Sequence, residues 1–218
     1  MLKFILIILA FYLTSAKIGL NTGTIEITHS TVNCIKDQGV TRVAMELLNQ
    51  YGYVNLNFGE SFNNLRDGQI TSIDAIVPIQ DLYDPDTLCS NLDRFLSPDF
   101  DGIIWLYIEN FPDAWTKPMD QRIGFLEDIV DSCCYYGYNI GIYSNNTSWT
   151  EVFGDPFAGT DKLGTLPMWY YNDQGEDNFN DFINAGFGKW SSPAMKEYKG
   201  NSTQVCEESF NSVEYYEN

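Results

Sequence analysis

The sequence predicts an α/β fold closed into an irregular barrel, a single domain, and three observations predict it. Short β-like runs alternate with helix-like runs through most of the chain. Five strand-to-helix steps are followed by a stretch richer in strand signals. No low-complexity linker and no repeat of fixed period divides the chain. Alternation of this kind builds parallel strands with the connecting helices packed over them. Five steps and a strand-rich tail suit a closed barrel better than a long open sheet. In barrels the reactive groups sit at the C-terminal ends of the strands, so those ends are where chemistry is sought.

The strand candidates are Lys17–Leu20, Arg42–Leu47, Ser72–Val77, Ile103–Ile108, Asn139–Ser144, Met168–Tyr171 and Ala194–Tyr198. Helical candidates between the early ones are Ser30–Gln38, Glu60–Arg66, Pro85–Leu96 and Gln121–Tyr136. The last is the clearest. Ile123, Leu126, Ile129 and Val130 recur at helical spacing, and Asp120 stands where a cap is expected.

Ahead of these elements, Lys3 precedes an unbroken apolar run from Phe4 to Leu13, followed by the small residues Thr14-Ser15-Ala16. A run of about ten apolar residues falls short of the ~20 that a bilayer-spanning helix needs. Residues 1–16 therefore read as a cleavable secretory signal and 17–218 as the mature, secreted domain. No later apolar stretch is long enough to span a membrane.

The formal net charge is −18, from 12 Lys and Arg against 30 Asp and Glu. Such a surface repels nucleic acid and anionic membranes, and no basic patch offsets it. A monomer is expected. The five cysteines Cys34, Cys89, Cys133, Cys134 and Cys206 all fall in the exported part. In an oxidising route some should pair, although spacing does not say which; an odd count leaves at least one unpaired. The neighbours Cys133 and Cys134 seldom bond each other, and no C-x-x-C pair suggests zinc or redox work. Asn145, Asn146 and Asn201 open glycosylation sequons, expected on surface turns.

One histidine, His29, on a helix start, leaves serine-type and His-rich metal chemistry without partners, and no Gly-rich phosphate loop follows a strand. No cofactor and no metal is expected. Carboxylates remain. The run Ile103-Ile104-Trp105-Leu106-Tyr107-Ile108-Glu109-Asn110 is a buried-strand pattern that ends in an acid. Side chains two apart on a strand share a face, so Tyr107 and Glu109 should point together into the barrel mouth. Desolvation beside aromatic rings would suit Glu109 to general-acid work. A strand-end glutamate in solvent would give the same pattern.

Trp105-Leu106-Tyr107-Ile108-Glu109-Asn110 resembles the WLDIEG strand of the lysozymes of glycoside hydrolase family 25, especially their animal and amoebozoan branch. Cys34-Ile35-Lys36 is similar to the CLK segment of the first helix, and Ser72-Ile73-Asp74-Ala75 to the third strand. Gly141-Ile142-Tyr143-Ser144 through Trp149 resembles GIYTS…W, and Leu166-Pro167-Met168-Trp169-Tyr170 resembles PLWY. The segment from Lys189 to Gly200 is similar to GWSKPSIKQYQG.

The resemblance implies a modified α/β barrel that hydrolyses the β-1,4 bond of peptidoglycan, in a setting of antibacterial defence or bacterial digestion. It implies a Glu as general acid, an Asp two residues earlier, and further Asp residues from the first and last strands. Glu109 stands at the acid. Tyr107, Asn21 and Asn211 stand at the three Asp positions.

An amide or a phenol keeps shape but supplies no negative charge to a cationic intermediate. A carboxylate there contributes several kcal/mol, about 10³ or more in rate. Asp74 and Asp173 are the candidates to replace the missing charge, Asp74 having the better claim as assistant to Glu109. Trp105, Tyr143, Trp169 and Tyr170 are expected either to stack on sugar or to pack in the core. The resemblance thus leads to a secreted barrel that binds peptidoglycan or a related N-acetylated glycan. Either turnover has largely gone, or an active muramidase works through Glu109.

Overall fold

The computed structural model describes residues 17–172, 178–206 and 208–215. Seven strands run parallel: β1 (Lys17–Asn21), β2 (Arg42–Glu46), β3 (Ser72–Pro78), β4 (Ile103–Tyr107), β5 (Asn139–Ser144), β6 (Met168–Tyr171) and β7 (Met195–Val205). An eighth, β8 (Glu208–Tyr215), runs antiparallel between β7 and β1 and closes the barrel. The expected single-domain α/β barrel is what forms.

The helices α1 (His29–Asp37), α2 (Phe58–Asp67), α3 (Pro85–Leu92), α4 (Met119–Tyr135), α5 (Asn146–Phe153), α6 (Asp161–Gly164) and α7 (Asn180–Ala185) fill the connections. They start where local chemistry allows. Thr28, Asp84, Asn145 and Thr160 each accept a backbone N–H from the first turn they cap. Asp120 does not cap α4. The helix begins one residue earlier, behind Pro118, and Asp120 lies in its first turn. Helix α3 ends at Leu92 rather than at Leu96, because the chain tightens there into turns in which the Arg94 and Phe95 N–H groups bond carbonyls three residues back.

Strand β8 lacked a sequence signal. Its partner β7 runs on past the expected end at Tyr198 through Gly200 and Asn201, with register shifts between Glu197 and Lys199 and between Lys199 and Thr203. Such bulges break the period-two pattern by which strands are read. Asn201 therefore lies inside a strand rather than on a turn, while Asn145 and Asn146 form the start of α5.

Period-two alternation divides the barrel into an outer and an inner core. Outward residues such as Leu20, Val43, Ile104 and Leu106 pack with Leu65, Leu126 and Ile129 from the helices. Inward residues Ala44, Ile76, Trp105, Tyr143, Trp169 and Met195 form a separate buried cluster, with Ile103, Tyr107 and Tyr171 packed against it. Gly141 faces inward beside Trp105, and a Cβ there would lie 2.4 Å from the indole. The glycine is what lets the large ring fit.

Two disulfides tie the outside together. Cys34 of α1 bonds Cys206, in the turn between β7 and β8, and Cys89 of α3 bonds Cys133 of α4. Cys134 keeps an exposed thiol, as an odd count requires. No described helix is long and apolar enough to cross a membrane, and residues 1–16 lie outside the described residues.

Candidate active site at the barrel mouth

Aromatic rings inside the barrel build the wall on which the site rests. Trp105 meets Trp169 edge-on, with centroids 5.5 Å apart. Trp169 stacks on Tyr143 at 4.2 Å, and Tyr143 on Tyr107 at 4.4 Å. Phe111 closes the row against Tyr107 at 5.5 Å. Tyr107 and Tyr143 are direct register partners on β4 and β5, which is why their rings lie side by side.

Glu109 follows β4 by two residues and shares the inward face of Tyr107. Strand pairing continues that far, since the Ile108 N–H bonds the Tyr143 carbonyl at 2.9 Å. The Tyr107 hydroxyl donates to Glu109 Oε2 at 2.6 Å, and Ser148 Oγ donates to Oε1 at 2.8 Å. The Trp115 indole N–H holds the Glu109 carbonyl at 2.8 Å. Ser148 is itself positioned by the cap of α5, where Asn145 Oδ1 accepts its N–H. Burial, and then the charge of Glu109, push the Tyr107 phenol far above the usual tyrosine range. It therefore remains a neutral hydroxyl at any working pH. Among the described residues no cation pairs with Glu109.

A second carboxylate faces inward from β7. Glu197 is buried, and its Oε2 accepts from Asn21 Nδ2 at 3.0 Å and from the Tyr143 hydroxyl at 3.0 Å. Burial, and then Glu197, push the Tyr143 phenol well up. The Gly23 N–H donates to Asn21 Oδ1 at 3.1 Å, so both ends of that amide are engaged. Sequence reasoning missed Glu197, because Lys196-Glu197-Tyr198-Lys199 reads as a solvated strand. The available signal was its alternation with Met195, which fixes its face once the barrel is known to close. Glu46, at the end of β2, is a third acid on the inner face; it is half-buried, and burial raises its pKa.

Asp74 is not at the mouth. It lies near the start of β3, and Arg42, Trp105 and the Ile103 N–H bind it at 2.9, 2.9 and 3.0 Å. Burial pushes its carboxyl up, while the Arg42 guanidinium and the donated hydrogen bonds work the other way. Register places Asp74 level with Ile103, six residues before Glu109 along the neighbouring strand. At about 3.3 Å per residue that is ~20 Å of strand, against the roughly 5–9 Å that separates working carboxyl pairs. The expectation that Asp74 assists Glu109 is therefore corrected: it is the buried anchor of the barrel's other end.

The stacking candidates also divide. Trp105 and Trp169 are fully buried and Tyr143 nearly so, which makes them core rings beneath the mouth rather than its lining. Tyr170 has the opposite parity and faces outward, packed on Phe182 of α7 at 5.1 Å with the Lys196 ammonium 5.9 Å from its ring. Asn211 is the register partner of Asn21, so the two amide-for-acid positions lie side by side on β8 and β1. Asp173 lies outside the described residues. No group of three or more His, Cys, Asp and Glu that could hold a metal occurs among the described residues.

The model of a family described as Lysozyme-like protein 1 matches residues 15–198. A probable family 25 lysozyme 5 of Dictyostelium discoideum is 30% identical over 200 residues, covering 88% of each chain. Lysozyme-like protein 5 of Caenorhabditis elegans is 24% identical over 218 residues, covering 94% of this chain and 95% of the relative. Among solved structures, the muramidase from Acremonium alcalophilum superposes with a TM-score of 0.73 at 13% identity, covering 93% of this chain and 94% of the other.

Proposed function

Because the chain belongs to the lysozyme family of glycoside hydrolase family 25, we propose that it is an exported protein that holds peptidoglycan or a related N-acetylated glycan in its barrel mouth and cleaves it poorly. The observation that carries this reading is Tyr107. It stands where the family pattern has the Asp before the acid, and its hydroxyl is bonded to Glu109. A neutral phenol cannot offset a developing positive charge at the anomeric carbon as a carboxylate would. Asn21 on the first strand and its register partner Asn211 stand at two further positions where the pattern has acids. Amides and hydroxyls are good partners for sugar hydroxyl and acetamido groups, so recognition does not require an acid at these positions.

Export rests on the signal-like residues 1–16 and agrees with two disulfides in the domain that follows. The biological setting this suggests is defence against bacteria or their digestion, by a monomer working outside the cell or in a secretory lumen. The runner-up, an active muramidase with Glu109 as general acid, is favoured by one observation: the acid remains, with both oxygens and its backbone carbonyl held in place.

Purified mature protein mixed with insoluble peptidoglycan between about pH 4 and 7 separates the readings. Sedimentation with the wall and no loss of turbidity is the expected result. Clearing that Glu109→Gln abolishes would favour the muramidase, and neither sedimentation nor clearing would remove the glycan from both readings.

A further inference from the structure

Asn21 on β1 and Glu197 on β7 are 176 residues apart in sequence, yet Asn21 Nδ2 donates to Glu197 Oε2 at 3.0 Å. A bond between a carboxamide and a carboxylate can be written either way round, with the amide as donor. Exchanging the two groups conserves one hydrogen bond and one negative charge.

We propose that Glu197 is the positioning carboxylate of the mouth, and that the carboxylate and amide of this pair tolerate exchange across their bond. It is buried on β7 and accepts from two groups at once. Through the first bond it sets which end of the Asn21 amide faces Gly23 and which faces the carboxylate. Through the second it fixes the Tyr143 hydroxyl, whose ring stacks on Tyr107 and so supports the residue that holds Glu109. A buried carboxylate that accepts two hydrogen bonds holds its partners more firmly than a neutral amide in the same place. The ligand in this account rests on the glycan reading above; the exchange itself does not.

The test is a cycle on the full mature chain: native, Asn21→Asp, Glu197→Gln and the double variant. Each is measured for its thermal midpoint and for sedimentation with insoluble peptidoglycan. Asn21→Asp brings two carboxylates to hydrogen-bond distance and should lower the midpoint by several degrees. Glu197→Gln should weaken retention on the wall by about tenfold, the scale of a lost charge-assisted bond. The double variant should recover both, and Glu197→Asp should retain part of the binding.

Midpoint losses that simply add in the double variant would overturn the exchange. Native-level retention by Glu197→Gln would overturn the positioning role. Should Asn21→Asp not fold, a double variant that folds supports the exchange and one that does not overturns it. If the native protein itself does not sediment, the glycan reading fails and the thermal cycle alone decides the exchange.

Discussion

Asp74 and Glu109 face the same barrel interior from adjacent strands, one near the start of β3 and the other just past β4. Asp74 is enclosed by a guanidinium, an indole N–H and a backbone N–H. Glu109 is half-exposed and met by two hydroxyls. The first environment matches a buried anion with fixed donors and a cation, which fits it for structure. The second leaves the acid oriented but without a counter-charge, which fits it for contact with a ligand. Burial and partners, rather than the presence of an acid on a strand, distinguish an anchor from a site.

The largest way to test this contrast is at the anchored end. Arg42→Met would leave Asp74 buried without its cation, and denaturant unfolding should show a loss of about 3–5 kcal/mol. Retention on the wall, measured below the melting range, should be unchanged. If retention fell in step with stability, the two ends would not be independent.

Gly141→Ala probes the layer between them. The added methyl would meet the Trp105 indole, which cannot shift without disturbing its bond to Asp74 or its contact with Trp169. A cost of about 1–3 kcal/mol in denaturant unfolding is expected, together with weaker glycan retention. Glu109→Gln reverses the pattern: stability should change by about 1 kcal/mol or less, while sedimentation with peptidoglycan weakens.

The smallest effect concerns Glu46. Burial raises its carboxyl above the ordinary value of 4.5. Between that value and the folded one the native state binds more protons than the unfolded chain, so this group makes stability fall as pH rises through the window. Glu46→Gln should therefore stabilise the protein at neutral pH, by under about 1 kcal/mol because the group is only half-buried. Below about pH 4 it should make no difference. Unfolding curves at pH 4 and 7 check the sign.

Much of this architecture was legible in the sequence. Strands β1 to β6 lie within about a residue of their expected ends, because apolar runs between helical stretches leave few alternatives. Strand β8 was not legible, since bulges in β7 and polar residues in Glu208–Tyr215 erase the alternation. At the candidate site, Glu109 and Tyr107 were expected from the strand that carries them, and Asn21 from the family resemblance alone. Asp74 was misjudged because its height in the barrel depends on register, which appears only when strands pair. The aromatic candidates were ambiguous for a related reason: Trp169 and Tyr170 are neighbours in sequence, and only the closed barrel says that one faces in and the other out. Glu197 was hidden among charges for the same reason.

Holding a glycan and cutting it are separable in one experiment. The mature protein is incubated with insoluble peptidoglycan, and turbidity and sedimentation are followed in the same tube. The protein should travel with the wall while turbidity holds. Sustained clearing that disappears in Glu109→Gln would show instead that the mouth is an efficient muramidase.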